Sequence, residues 1–413
     1  MNKILFKSRL IFFLSWMIIH PLTNAQHNHA HAQVVKQTAT KTSCTEPVLR
    51  CAKAAMPYFA DDGSLWVVWS GASAISVARS TNLGQHFEDR IEIARHGDFL
   101  DTGPDARPQI VGDRQGNMTI AYSFFRDKNW NAQVNISTSS DNGKTFTTPR
   151  SISSDPTSQR FPTLSINQHG RIFVAWIDKR EVAAATKAGI KRSGASVAMA
   201  WSDDAGQTFR DERLVRDQSC ECCRIGLTVT AAGDPAILYR AIFEGGVRDH
   251  ASQVLSLSLA QGPVRRVAVD DWKTDSCPHH GPSLAVSANG TMHAAWFTQG
   301  EARSGIFYAQ SKDWGEHYSQ PRAIGNPEHQ PGRPYLFAKG HDTWLVWKEF
   351  DGKSVSVWQQ YSEDDGNIWS APVQITQAVG YTDHPILIAN GSKVYLSWLT
   401  SADGYRLIEL DKR

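Results

Sequence analysis

The stretch Ser139-Ser-Asp141-Asn-Gly143-Lys-Thr-Phe146 is one copy of a motif that recurs along this 413-residue chain. Four further copies also end in an aromatic residue, at positions 80–87, 202–209, 311–318 and 362–369, and a worn copy lies at 258–262. The acidic side chain can bond backbone N–H groups of its own turn, and the glycine supplies a positive φ. Each copy therefore predicts a tight β-hairpin.

A second repeat runs in phase with the first. Seven short apolar segments end in Trp or Tyr about fifty to sixty residues apart, a period typical of an array of one supersecondary unit. These aromatic residues are Trp69, Tyr122, Trp176, Tyr239, Trp296, Trp347 and Trp398. Six units open near a proline, at Pro57, Pro108, Pro162, Pro282, Pro334 and Pro385, and the fourth opens at Arg224-Ile-Gly226.

The strand pattern within one unit predicts the architecture. In the second unit, residues 108–111, 118–122, 134–139 and 147–153 have the composition and period of four antiparallel strands. Radial repetition of such a sheet is a β-propeller. Seven units predict an all-β, seven-bladed propeller, with a six-bladed ring as the alternative. The last unit stops one strand short, and residues 45–49 resemble the missing outer strand, so an N-terminal strand would close the last blade.

The recurring turn resembles the Asp-box of sialidases and related BNR-repeat proteins. The resemblance covers nearly the whole chain after its first 43 residues. It implies a propeller fold, and it implies that the box is a structural turn far from the functional face. In such a propeller the blade-to-blade linkers and the loops after the seven aromatics lie on the opposite face, at the mouth of the central channel. Sialidase domains have six blades, so seven units depart from that pattern.

The amino terminus predicts export. Residues 1–25 combine a basic start, a short apolar run and a small-residue cleavage site, which is the pattern of a signal peptide. Residues 26–43 form a His-containing leader that we expect to be disordered, and residues 44–413 form the propeller. The apolar run is too short to span a bilayer. Without its three basic signal residues the chain is close to neutral, which gives no reason to expect nucleic acid as a partner.

Two linkers at the predicted channel mouth concentrate cysteine and histidine. The linker before the fourth unit carries three cysteines and the linker before the fifth carries a cysteine and two histidines, namely Cys220, Cys222, Cys223, Cys277, His279 and His280. Thiolate and imidazole are ligands for zinc, and thiolate-rich sets favour copper(I). Disulfides are the alternative, because an exported protein meets oxidising conditions. Cys44 could then pair with Cys51, and Cys277 could tie one linker to the other, but six cysteines allow 15 pairings and the sequence does not choose among them.

Cationic residues precede five of the inner strands: Arg107, Arg160, Arg224, Arg333 and His384. Arginines aimed at one mouth would bind a carboxylate or phosphate through paired hydrogen bonds. This ring is similar to the arginine triad that grips the carboxylate in sialidases. The alternative is that each arginine bonds a local carbonyl or a neighbouring carboxylate such as Asp105.

The sialidase resemblance implies catalytic residues only by position. Sialidases use a Tyr nucleophile activated by a Glu. Tyr381 lies before the last inner strand in a comparable place, and Asp101 or Asp105 would be the general acid. Glu244 and Glu301 lie in loops of the mouth face, but no feature of the sequence selects either as the partner of Tyr381.

These observations predict a periplasmic or secreted binding protein with a Cys/His site for copper or zinc at the channel mouth. Its partner would be a small ligand, a metal ion or a glycan. A sialidase-like glycoside hydrolase acting on sialylated glycans is the enzymatic alternative. A third possibility is an assembly scaffold with an envelope protein partner and structural disulfides.

Overall fold

The computed structural model describes residues 46–71, 73–256, 263–276 and 278–412, and these residues form seven antiparallel sheets. The predicted seven-bladed β-propeller is confirmed. The predicted signal peptide, the leader, Cys44, Cys277 and the worn motif copy lie outside the described residues.

The first four blades each have four strands. They are β1 (Ala54–Phe59), β2 (Leu65–Gly71), β3 (Ala74–Ser80) and β4 (Ile91–Arg95); β5 (Gln109–Gly112), β6 (Met118–Phe125), β7 (Ala132–Ser139) and β8 (Arg150–Ser151); β9 (Gln159–Ile166), β10 (Ile172–Asp178), β11 (Ala195–Ser202) and β12 (Arg210–Ser219); and β13 (Gly226–Val229), β14 (Pro235–Arg240), β15 (His250–Val254) and β16 (Arg265–Arg266).

The last three blades continue the series. They are β17 (Ser283–Val286), β18 (Met292–Gln299), β19 (Ser304–Ser311) and β20 (Arg322–Ile324); β21 (Gly332–Lys339), β22 (Asp342–Phe350), β23 (Val355–Ser362) and β24 (Val373–Ala378); and β25 (Ile386–Asn390), β26 (Lys393–Thr400) and β27 (Gly404–Glu409). Short 3-10 helices occupy Leu49–Cys51, Gly97–Phe99, Glu244–Gly246 and Pro327–His329.

The inner strands close into a circle. Each inner strand contacts the inner strand of the next blade, and the last contacts the first. The inner strands are β1, β5, β9, β13, β17, β21 and β25. A hydrogen bond of 2.9 Å from the Ala55 amide to the Asp383 carboxylate joins the first and last blades. Each inner strand is the edge of its own sheet, which is why it tolerates prolines such as Pro57 and Pro162 that cannot donate to a ladder.

The second strand of each blade carries the repeated aromatic residue because both of its faces are buried. Along β10, Val174 and Trp176 pack in an apolar cluster with residues of the second blade, whereas Phe173 and Ala175 pack with residues of the fourth. The two-residue side-chain period of a strand therefore supplies core to both neighbouring blades. All seven repeated aromatics are at most 2 % exposed.

The five well-formed motif copies adopt the same hydrogen-bonded turn. In the second blade the Ser139 hydroxyl donates to Asp141 at 2.8 Å, while the amides of Gly143 and Thr145 donate to Ser139 and Asp141 at 3.0 and 2.9 Å. The residue before the glycine also has a positive φ, 59° at Asn142, so the turn uses two consecutive left-handed residues. Equivalent bonds form in the other four copies.

The last blade closes differently from the expectation. Among the described residues its sheet has three strands, and residues 46–49 form no fourth strand. The segment turns instead into the 3-10 helix Leu49–Cys51, because the amides of Cys51 and Ala52 bond carbonyls three residues earlier. Leu49 packs in an apolar cluster with Leu407 of β27, so the N-terminal segment still covers the edge of the blade.

One α-helix is present in the part of the chain that the structure describes. It is α1 (Arg180–Lys187), eight residues in the loop between β10 and β11 on the mouth face. None of the helices in the described part of the chain has the length and apolar character of a membrane span.

Candidate functional site

The two cysteine-bearing linkers meet at the channel mouth. A Cβ atom placed on Gly281 would lie only 2.1 Å from Cγ of Arg224, so the second linker packs directly on the first. The buried Arg240 guanidinium reinforces this contact by donating to the His280 carbonyl at 3.0 Å. The circular order of the blades therefore brings the linkers before β13 and β17 together.

Three thiols form a compact group inside the first linker. Cys220, Cys222 and Cys223 are free and are 0 %, 4 % and 2 % exposed. The Cys220 sulfur lies 3.1 Å from that of Cys223 and 3.7 Å from that of Cys222, and all three sulfurs lie within 4.8 Å of one another. They belong to the apolar cluster between the third and fourth blades, which includes Phe161 and Tyr239.

The electrostatics of the thiol group favour a thiolate at Cys220. The pKa of Cys220 is lowered because Cys222 and Cys223 can donate S–H hydrogen bonds to its sulfur, and the positive charge of Arg240 adds to this effect. The pKa values of Cys222 and Cys223 are raised because their thiols act as those donors. The Arg248 guanidinium also lies 3.8 Å from the Cys220 sulfur, as a donor.

The two predicted histidine ligands lie outside the thiol group. Among the described residues, the three cysteines are the only group of three or more Cys, His, Asp or Glu side chains whose ligand atoms all lie within 4.8 Å of one another. The His280 ring stacks on Phe297 with 4.0 Å between centroids, and burial lowers its pKa well below the usual value. His279 has a φ of 51°, its carbonyl accepts a hydrogen bond from Arg333, and its ring contacts Phe161 edge-on.

The predicted cations are at the mouth, and carboxylates lie among them. Arg107 pairs with Asp383. The Arg160 guanidinium forms a bidentate salt bridge to the Asp101 carboxylate, with N–O distances of 2.7 and 2.9 Å. Asp105 lies between the guanidinium groups of Arg224 and Arg333, 3.2 and 3.4 Å away.

A small cavity of about 110 Å³ opens where the inner strands begin. Asp105, Arg107, Arg224 and His384 line it, together with the first residues of several inner strands. Burial lowers the pKa of His384 well below its usual value, with the charges of Arg333 and the other cations adding to the effect, so His384 is neutral.

Lys348 is a mouth residue that the sequence reasoning missed. Its ammonium group donates to the carbonyls of Thr382 and Asp383 at 3.2 Å, and burial lowers its pKa to about 8. Lys348 directly follows Trp347, just as Arg240 directly follows Tyr239. A charged residue immediately after the repeated aromatic was therefore a usable signal, because the end of that strand points to the mouth.

The pattern expected of a sialidase nucleophile is not assembled among the described residues. The Tyr381 hydroxyl donates to the Lys53 carbonyl, and burial raises its pKa, with Asp383 adding to the effect. Glu244 and Glu301 are both exposed, and no described hydrogen bond joins either of them to Tyr381. Asp105, the positional candidate for the general acid, is instead paired with two arginines.

Comparison with known proteins supports the fold. No protein-family model and no curated protein sequence matches the chain. A polysaccharide lyase described as an ulvan lyase matches with a TM-score of 0.56 and 10% identity, over 88% of this chain and 95% of that one. A protein of unknown function from Dyadobacter fermentans matches at 0.53 and 15% identity, over 75% and 95%.

A Hadza microbial sialidase also matches, with a TM-score of 0.50 and 12% identity, over 84% of this chain and 76% of that one. At these identities the similarity to solved structures shows the propeller fold alone.

Proposed function

We propose that this protein is an exported binding protein that holds one soft metal ion, copper or zinc, at its channel mouth. The observation that carries the proposal is the group of three buried sulfurs within 4.8 Å of one another. Thiolates are strong ligands for both metals. The rigid ring of blades positions the site, and the linker between β12 and β13 supplies the ligands.

Burial of the three thiols supports a metal site over disulfide bonding. Three cysteines cannot all pair among themselves, so one internal disulfide would leave a buried thiol behind. A bridge between the neighbours Cys222 and Cys223 would also require strained geometry. A bound ion uses all three sulfurs at once.

Metal analysis of the purified protein tests the proposal. The protein isolated from the periplasm or medium should contain about one equivalent of copper or zinc per chain. Cys222→Ser should remove the metal, whereas the matched variant Ser219→Ala, in the same linker but without a thiol, should retain it. Equal metal content in both variants, or no metal after reconstitution of the reduced protein, would overturn the proposal.

Export is the second part of the proposal, and it rests on residues 1–25. The protein recovered outside the cytoplasm should begin at Gln26, as determined by amino-terminal sequencing. A functional protein that still begins at Met1 would contradict the proposed cleavage and export.

A second candidate function is the binding of an acidic glycan, favoured by the excess of cations at the mouth. Among the described residues, the ion pairs of three of these cations use two carboxylates: Asp383 pairs with Arg107, and Asp105 is shared by Arg224 and Arg333. The Lys348 ammonium group bonds backbone carbonyls there. Two of the structural neighbours are a sialidase and a polysaccharide lyase.

Hydrolysis of a fluorogenic sialoside, lost in Tyr381→Phe, would establish the enzymatic form of this second candidate. Binding of sialic acid without hydrolysis, weakened by Arg333→Gln, would establish the binding form. If the protein neither hydrolyses the sialoside nor binds sialic acid, both forms of this second candidate are ruled out.

A further inference from the structure

We propose that the ion at the thiol group is copper(I), held by Cys220, Cys222 and Cys223 alone in three-coordinate geometry. This inference rests on the proposed metal-binding function and specifies the ion, its oxidation state and the number of its ligands.

The number of available ligands favours copper(I) over zinc. Among the described residues, the group contains three sulfurs and no imidazole or carboxylate. Structural zinc sites are almost always four-coordinate, and catalytic zinc sites keep a fourth position open to water or substrate. The three cysteines are at most 4 % exposed, so a zinc ion here would have neither a fourth described ligand nor ready access to water. Thiolate sets of this kind select copper(I).

The surroundings also favour the singly charged ion over copper(II). Copper(II) prefers square-planar or tetragonal sites with nitrogen and oxygen ligands, and none of these donors belongs to the described group. Phe161, Val215 and Tyr239 surround the sulfurs with apolar area. An apolar shell limits solvent access to a metal and thereby affects its redox potential.

Two guanidinium groups compensate the charge that such a site carries. Three thiolates around copper(I) form a unit with net negative charge, which is costly to bury without a counter-ion. The Arg248 guanidinium lies 3.8 Å from the Cys220 sulfur, and the fully buried Arg240 is directly adjacent, because its backbone carbonyl accepts the Cys220 amide at 2.9 Å. Arg248 is therefore a positioning residue that stabilises the anionic unit without touching the metal.

The spacing of the sulfurs needs little adjustment to bind the ion. A triangle of sulfurs about 2.3 Å from a central metal has edges of about 4 Å. The distances from Cys220 to its neighbours are 3.1 and 3.7 Å, so binding requires only a small outward movement of the side chains.

The test is an anaerobic titration of the reduced, mature full-length protein with copper(I) and, separately, with zinc(II), each against competing chelators. We expect one copper(I) per chain, bound more tightly than zinc, and X-ray absorption with three sulfur neighbours and no nitrogen. Cys222→Ser should weaken copper(I) binding by more than about 100-fold, beyond the range of outer-shell changes. Cys277→Ser, a matched loss of a cysteine from the adjoining linker, should leave the affinity unchanged.

Each other outcome has a distinct meaning. Tight zinc binding with four ligands, or loss of the metal in Cys277→Ser, overturns the copper(I) inference and leaves the soft-metal function standing. If neither metal binds the thiols, both the copper(I) inference and the proposed soft-metal function are overturned. A folded Cys222→Ser protein, checked by circular dichroism, ensures that lost binding does not reflect unfolding.

Arg248→Gln tests the charge argument separately. It should weaken copper(I) binding by about 10-fold without changing the stoichiometry or the melting temperature of the metal-free protein. Arg248→Lys should restore most of the affinity, because it returns the positive charge. An unchanged affinity in Arg248→Gln would show that this cation does not support the site.

Discussion

The two faces of this propeller differ in how closely their loops repeat. On one face, five turns share the same three hydrogen bonds, and even Asn82, which replaces the usual Asp, accepts the same backbone N–H bond at 2.9 Å. On the mouth face, one linker carries three thiols, another packs its glycine on Arg224, and a third places Asp105 between two arginines. Repetition thus marks the parts that build the ring, whereas departures from it mark the candidate site.

The largest effect should come from the repeated core. Trp176 is fully buried and donates to Asp178 at 3.0 Å, so Trp176→Ala should destabilise the protein by about 3–5 kcal/mol in urea unfolding. Trp314→Ala is the matched control, because this Trp lies in a motif turn and is 47 % exposed. Similar losses for the two variants would show that the repeated aromatics are not the main source of stability.

The second prediction concerns the mouth face and asks whether its pair between Asp383 and Arg107 stabilises the fold. Asp383 is buried, pairs with Arg107 and accepts the Ala55 amide that joins the first and last blades. Asp383→Asn leaves a buried arginine without its counter-ion and should cost about 3 kcal/mol in the same measurement.

Asp105→Asn is the control for that experiment, since its contacts to two arginines are longer and its side chain is 15% exposed. It should cost clearly less than Asp383→Asn. Equal costs would mean that ring closure does not depend specially on the pair between Asp383 and Arg107.

The smallest effect concerns the pH dependence of the repeated turns. The pKa of Asp141 is lowered to about 2, first by the Thr145 hydroxyl and amide, and that of Asp313 is lowered to about 2, first by the His317 amide. Because the folded pKa lies below the unfolded value, this stabilisation is present above about pH 4 and is lost as the pH falls through about 2.

Replacing both residues by Asn should preserve the turns, as Asn82 does naturally, and should flatten the dependence of stability on pH between about 4 and 2. Acid unfolding followed by circular dichroism measures this. An unchanged slope would show that these turns do not contribute to acid sensitivity.

Much of the fold was predictable because the aromatic residues and the motif turns recur at regular spacing along the sequence. The aromatic period predicted seven blades with six as the alternative, and the structure confirms seven. The motif turns predicted the third hairpin of most blades. Strand ends were less predictable: residues 147–153 were expected to form an outer strand, but β8 covers only Arg150–Ser151. Outer strands pair on one side only, so their length depends on the neighbouring blade as well as on their own composition.

The candidate site was predictable only in part. Spacing along the chain singled out Cys220, Cys222 and Cys223, and the order of the blades placed them at the mouth. It did not reveal that Asp105 would reach two distant arginines, or that Arg240 and Arg248 would lie beside the thiols. The residues in those contacts are at least twenty positions apart along the chain, or in different blades, and a local sequence pattern carries no information on such distances.

The sequence by itself determined the repeat of seven units, the repeated turns and the face on which the linkers lie, because each depends on local periodicity and on turn chemistry within one unit. Only the tertiary structure decided which side chains meet at the mouth: three sulfurs gather in one buried group while His279 and His280 pack against aromatic rings. The physical reason is that closing the ring brings the ends of separate units together, and the packing between them sets which side chains are in contact.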